Sequence, residues 1–317
     1  MNMPWPPGSA GRVESDVLRI IGSRLDALIT LERTLGSQRL AAPAEAELAL
    51  LTGLLEEGAH DPATRAELYA AASFTAGLRG WIAYDADDFA GAESFFHTSR
   101  HLADVGGATE LHAHFTMHLA YQQCAAHAPA AALTLLNAEL NAPGERPCAR
   151  TTAALHAASA RAHALLGDHV AHGRSVAAAR TALRHDEGSR TSPLTSWITA
   201  SALESQWGSD LLDLGRPRQA LVHLAVSGSA DQDDRTAAIR YVRAARVLLA
   251  GNEVEAAVAW ALWAADRLHG IRSGLVRREA DRLLRALGAY RDVPAVRDFL
   301  RCAGPAWPCV TTGRRAE

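Results

Sequence analysis

Three short stretches decide the reading of this chain: Leu165-Leu166-Gly167-Asp168, Asp213-Leu214-Gly215-Arg216-Pro217 and Leu248-Leu249-Ala250-Gly251-Asn252. Each places Gly after an apolar run, where a helix can end in the left-handed conformation. Each then supplies Asp, Pro or Asn within two residues, groups suited to starting the next helix. A stop and a restart this close together specify a helix hairpin, not a long loop. Weaker copies stand at Tyr84-Asp85-Ala86-Asp87-Asp88-Phe89 before Ala92, at Ala126-His127-Ala128-Pro129 before Ala132, and at Tyr290-Arg291-Asp292-Val293-Pro294. Anchored at 87, 127, 167, 215, 251 and 290, the breaks recur about every forty residues, the scale of paired-helix repeats.

The runs between breaks carry helical spacing. Tyr241, Ala244, Ala245, Leu248 and Leu249 recur at steps of three and four, and Ala256, Trp260, Trp263 and Arg267 form a second stripe. Asp61-Pro62 starts a helix expected to run to about 79. Two further helices are expected at about 13–35 and 43–57, and loops at 104–108, 141–147, 186–193 and 227–234. The expected organisation is a disordered stretch at 1–12, capping helices at 13–60, a repeat array at 61–303 and a disordered tail at 304–317. The fold expected is all-α: a right-handed solenoid of five to six helix hairpins, each unit burying apolar surface only against its neighbour.

Composition agrees. Of 317 residues, 48% are hydrophobic and only 6% aromatic; about a fifth are Ala, and all 32 basic groups are Arg. Such a chain favours helix. No apolar run approaches membrane-spanning length, and the first eleven residues lack the basic end and apolar stretch of a signal peptide. Four Cys without paired spacing and a net charge of −3 point to a reduced, cytoplasmic protein and away from general nucleic-acid binding.

The units resemble tetratricopeptide repeats, as in Tyr84…Phe89…Ala92…Phe96…Ala103 and Gly215…Ala220…Leu224. Gly80-Trp81-Ile82-Ala83-Tyr84-Asp85, Leu165-Leu166-Gly167-Asp168, and Pro193-Leu194-Thr195-Ser196-Trp197 followed by Leu211-Leu212-Asp213-Leu214-Gly215 narrow the likeness. They are similar to the tetratricopeptide-type sensor region of actinobacterial helix-turn-helix regulators, many of which govern specialised metabolism or development. Those regulators carry a DNA-reading module before the repeats, whereas few residues precede the first expected helix here. The resemblance therefore implies a sensor or docking body that does not itself read DNA.

Histidine is the unusual enrichment. His97 and His101 lie four apart on one expected helix, His114 and His118 four apart on the next, with His112 nearby. A four-residue step puts side chains on one helix face, and two facing imidazole pairs could hold a transition metal. No Cys or carboxylate completes the set, so ordinary histidines are the simpler reading; the same holds for His156/His163 and His169/His172. Asp85, Asp87 and Asp88 lack the Gly and terminal Glu of a calcium loop and read as helix capping. Asp231, Asp233 and Asp234 read as a helix start. Trp81, Trp197, Trp207, Trp260 and Trp263 read chiefly as filler between repeats, Trp197 and Trp207 being the best candidates for a binding role. His185-Asp186-Glu187 has no catalytic partner, and no nucleophile elbow, phosphate loop or dinucleotide motif is present.

The first helix of each pair, at 109–125, 151–166, 195–214 and 235–250, should form a concave binding face. Its polar candidates are His114, His118, Arg161, Trp197, Glu204, Arg240 and Arg243. The arginines suit a carboxylate or phosphate, which a guanidinium grips through two parallel bonds. The function expected is non-catalytic: binding of a peptide or protein partner, or of a small anionic metabolite, to modulate transcription or specialised-metabolite biosynthesis. No cofactor or resident metal is expected. The alternative is an enzyme or metal protein of a biosynthetic pathway on a recruited helical scaffold, with His97, His101, His114 and His118 central. Homodimerisation through the helices before residue 60 is a further expectation.

Overall fold

A computed structural model describes residues 15–58, 60–186, 194–226, 234–267 and 273–302. The stretches expected at 1–12 and 304–317 lie outside the described residues, as do Glu187, Pro193, Asp231, Asp233 and Cys309 and nearly all of the 186–193 and 227–234 loops.

Every regular element among the described residues is helical, and sequential helices pack in neighbouring pairs. Helices α1 (Ser15–Leu35) and α2 (Ala41–Glu57) lead in. Hairpins follow: α3 (Pro62–Asp85) with α4 (Phe89–Gly106), α5 (Thr109–Ala125) with α6 (Pro129–Leu140), and α7 (Ala149–Leu165) with α8 (His169–Arg184). Next come α9 (Ala200–Asp213) with α10 (Pro217–Val226) and α11 (Asp234–Ala250) with α12 (Val254–Arg267), after which α13 (Gly274–Leu287) packs on α11 and α14 (Pro294–Cys302) on α12. Helix α3 continues six residues past the expected end near 79, because its apolar face persists through Ile82, Ala83 and Tyr84, all buried.

The breaks share one geometry. Asp87, His127, Gly167, Gly215 and Asn252 adopt left-handed φ values of 67°, 63°, 75°, 69° and 67°. In each case the next residue's N–H donates to the carbonyl five positions back: Asp88 to Ala83 (2.9 Å), Ala128 to Gln123 (2.8 Å), Asp168 to His163 (2.9 Å), Arg216 to Leu211 (2.8 Å) and Glu253 to Leu248 (2.9 Å). This bond closes orphan carbonyls at a helix end. Gly107 repeats it between α4 and α5. One expectation is corrected: the left-handed residue of the α11 break is Asn252, not Gly251, Asn being the side chain that best tolerates this region after Gly. Asp61, Asp88 and Asp168 then cap α3, α4 and α8 by accepting from the N–H of Thr64, Gly91 and Ala171.

Alanine sets the packing distance. In α7, Ala153, Ala154, Ala157, Ala158, Ala160 and Ala162 are all fully buried, so this helix can be approached closely from several sides. Neighbouring α5, α8 and α9 pack against it. Larger groups, above all Phe96, Met117, Leu155 and Trp207, fill the spaces left over.

Two polar junctions join distant parts of the chain. Glu32 of α1 binds Arg235 of α11, and Arg33 donates to Ser196 (3.0 Å). At the end of α3, the buried Asp85 carboxylate accepts from the Ser273 hydroxyl (2.8 Å) and the Leu275 N–H (2.9 Å), while Asp87 pairs with Arg277 and Arg278 of α13. Early and late helices thus meet, and a cavity lies between them.

Candidate functional site

The cavity has a volume of about 750 Å³ and is lined almost wholly by the odd-numbered helices. Its walls differ in chemistry. Helices α3 and α5 contribute Phe74, Leu78, Trp81, Tyr84, Phe115 and His118, a largely aromatic surface. Helices α11 and α13 contribute Arg235, Arg240, Arg243, Arg278, Arg282 and Arg285. The two chemistries touch where the Arg278 guanidinium lies 4.7 Å from the Tyr84 ring centre and that of Arg235 lies 5.4 Å from Trp81.

Charge in the lining is unbalanced. Eight arginines (the six above with Arg33 and Arg161) face four carboxylates, Glu32, Asp87, Glu279 and Asp281. The groups just behind add Asp210 and Asp213, but also Arg246 and Arg277, so the positive surplus stands. It does so in a protein whose net charge is −3. In a partly enclosed space such a surplus attracts anions strongly.

The pairs within this wall hold the arginines in place. Arg161 donates to Asp210 (2.9 Å) and Asp213 (2.5 Å); burial alone would lower its pKa, but the two carboxylates outweigh it and hold the guanidinium above its ordinary range. Burial would raise the Glu279 carboxyl, yet Arg243, Arg246 and Arg282 bring it down to about 2. Arg240 donates to the Ser201 hydroxyl (2.7 Å). Arg285 is exposed at the rim.

On the aromatic side, His114 and His118 place their Nε2 atoms 3.1 Å apart. His118 stacks on Phe96 (5.9 Å between ring centres) and meets Trp81 (5.5 Å) and Trp197 (6.1 Å). Burial lowers the pKa of both imidazoles, that of His118 to about 4 and that of His114 well below its ordinary value, so both are neutral at physiological pH. Burial likewise raises the Tyr121 phenol and brings the Cys124 thiol up to about 12, so neither ionises there.

Of the expected binding residues, His114, His118, Arg161, Trp197, Arg240 and Arg243 come together in this cavity. Glu204 does not. It sits on the far side of α9, where Arg180 (2.8 Å) and His223 (2.7 Å) donate to it. Trp197 belongs to the turn before α9, not to the helix itself, and Trp207 is wholly buried in the core. Trp81 lines the cavity and also packs against the cores built around Leu68 and Phe96, and Trp263 is exposed on α12. The four-histidine cluster is not assembled. His97 and His101 are exposed on α4, and His112 turns to Glu139 (2.9 Å). Among the described residues no three His, Cys, Asp or Glu side chains converge as a metal-ligand set.

Sequence reasoning passed over Arg278, Arg282 and Arg285. Their spacing of four and three on a short helix was a usable signal, since it puts all three on one face. No family model matches the chain, and neither a curated protein nor a solved structure does. Among the described residues, no helix is long and apolar enough to cross a membrane.

Proposed function

We propose that this chain is a non-catalytic, tetratricopeptide-like right-handed solenoid of helix hairpins whose inner wall is the cavity, and that it binds a small anionic ligand there. The observation that carries this reading is the surplus of eight arginines over four carboxylates in a space of about 750 Å³. A volume of that order suits a small organic molecule. The aromatic wall supplies apolar contact area for the rest of the ligand. The junctions Glu32–Arg235 and Asp85–Ser273 span the cavity, and this closure favours a small ligand over an extended peptide. The motif resemblance to regulator sensor regions supports a role in which ligand occupancy modulates transcription or specialised-metabolite synthesis through a partner protein.

Trp81 and Trp197 line the cavity and provide an intrinsic fluorescence signal. Naphthoate should quench it saturably, and the neutral naphthylmethanol should bind far more weakly. An Arg240→Ala/Arg243→Ala variant should lose about tenfold or more in naphthoate affinity, as expected for removal of charge-assisted hydrogen bonds. The exposed Arg218→Ala control should lose nothing. Equal binding of acid and alcohol, or full affinity in the double variant, would overturn the reading.

A further inference from the structure

Several arginines of the cavity are already answered by a carboxylate of the protein. Arg235 pairs with Glu32, Arg278 with Asp87, and Arg161 with Asp210 and Asp213. The meeting of α11 and α13 is different. There the buried Glu279 is one carboxylate among three guanidiniums. Arg246 reaches its Oε2 at 3.1 Å, while Arg243 and Arg282, from different helices, reach the same Oε1 only at 3.5 Å. Charge-assisted bonds ordinarily close to about 2.7–2.9 Å, so the last two contacts are slack. Against the pull of burial, these arginines hold the Glu279 carboxyl at about 2, so it carries its charge at neutral pH. Arg246 has Asp213 as a second partner (3.4 Å), and Asp281 turns to Arg277 (3.9 Å). Arg285, one turn beyond Arg282, meets no carboxylate among the described residues. Arg243, Arg282 and Arg285 therefore set three positive charges on the cavity against the single negative charge of Glu279.

These groups can be reached from the cavity, which all three line. The Arg282 side chain is 40% exposed, and Arg285 is exposed. The two terminal nitrogens of Arg243 have no hydrogen-bond partner among the described residues and, unlike its buried Nε, remain accessible. The number and arrangement of the donors select the anion. A carboxylate brings two coplanar oxygens and one charge, which a single guanidinium satisfies. A surplus of two charges, offered by guanidiniums on two helices, matches a group with three oxygens in a tetrahedral array and close to two charges. A phosphate monoester is such a group.

We propose that the anion held here is the phosphate of an aromatic phosphate monoester, bound by Arg243, Arg282 and Arg285 with its ring against the aromatic wall of α3 and α5. The proposal rests on the anion-binding reading of the cavity and names the ligand class. The ester is favoured over inorganic phosphate because Phe74, Trp81 and Phe115 offer contact area that a bare ion leaves unused.

The test compares naphthyl phosphate with naphthoate, naphthyl sulfate and inorganic phosphate by calorimetry at about pH 7.5, where the phosphate ester is a dianion. The sulfate ester keeps the three oxygens and carries one charge. Naphthyl phosphate should bind about tenfold or more tightly than each of the others. In an Arg282→Gln/Arg285→Gln variant, which alters only partly or fully exposed side chains, its affinity should fall about tenfold or more, while that of naphthoate stays within about threefold. Phosphorus NMR of the wild-type complex gives a readout that needs no substitution: the bound ester should keep its second charge at pH values where the free ester has taken up a proton. Naphthyl phosphate binding no better than naphthoate or the sulfate, or an advantage that survives in the variant, overturns the phosphate assignment and leaves the anion-binding reading standing. Inorganic phosphate binding as tightly as the ester overturns the aromatic half of the proposal. If no anion binds the wild type, the anion-binding reading falls and takes this one with it.

Discussion

Glu32 and Arg235, 203 positions apart in the chain, form a buried ion pair that joins the first helix to the eleventh. The Glu32 carboxylate also accepts from the Trp81 indole N–H (2.7 Å) and the Ser37 hydroxyl (2.7 Å). Burial would raise its pKa, but Arg235 and these donors outweigh that effect and lower it. Removing one member strands the other. Arg235→Met should cost about 3–5 kcal/mol of unfolding free energy, whereas Glu32→Leu/Arg235→Met together should cost much less. Urea titration of the three proteins checks this, and a double variant as unstable as the single would refute the coupling.

The repeated break gives an opposite pair of expectations. Gly167 and Gly215 have open space where a Cβ would stand, so alanine there meets only the left-handed backbone penalty, about 1–2 kcal/mol each. His127 carries that penalty already at φ 63°. His127→Gly should therefore stabilise by up to about 1 kcal/mol, after allowance for the greater freedom of glycine in the unfolded chain. Thermal melts of the three variants would show the contrast in sign.

A third expectation concerns close approach inside α3. A Cβ on Gly77 would stand 2.2 Å from the Phe115 ring, and Phe115 is buried against the cavity. Gly77→Ala should destabilise by about 1–3 kcal/mol through overpacking. It should also weaken naphthoate binding, because the displaced ring has the cavity as its free direction. Unchanged stability together with unchanged binding would show that the ring is not confined.

Acid should destabilise the protein in two windows. Burial holds His118 and His172 at about 4, and His114 well below its ordinary value, whereas in the unfolded chain such groups titrate near 6.5. Below about pH 6.5 the unfolded chain binds more protons than the folded one, so stability falls as pH drops toward about 4. Glu279, at about 2 against an ordinary 4.5, contributes stability present above about pH 4.5 and lost as pH falls toward 2. Chemical denaturation across this range checks both windows. His114→Phe/His118→Phe should make the upper window shallower, leaving the His172 contribution, and leave the lower one unchanged.

Much of the architecture was legible in the sequence because its controlling interactions are local. The left-handed break with its bond five residues back is marked by Gly, Asn or Asp in four of the five hairpins and by His127 in the other, where Pro129 restarts the helix. That is why positions 87, 127, 167 and 215 could be marked in advance as hairpin turns. The first helices of the pairs, and hence His114, His118, Arg161, Arg240 and Arg243 as groups on one set of elements, followed from the same periodicity.

What the sequence left open was the rotation of each helix about its own axis and the meeting of its distant parts. Glu204 lies on the same helix as the cavity-lining Leu203 and Gln206, yet it faces Arg180 and His223. Local spacing does not decide such an orientation; packing against α8 and α10 does. The same holds for the contribution of α13. Arg278, Arg282 and Arg285 become part of the cavity only because Asp85 and Asp87 draw the start of α13 against the end of α3, about 190 positions earlier. Helices and turns were settled by neighbours along the chain, while the charge and chemistry of the enclosed space arose from contacts that exist only once the chain has folded.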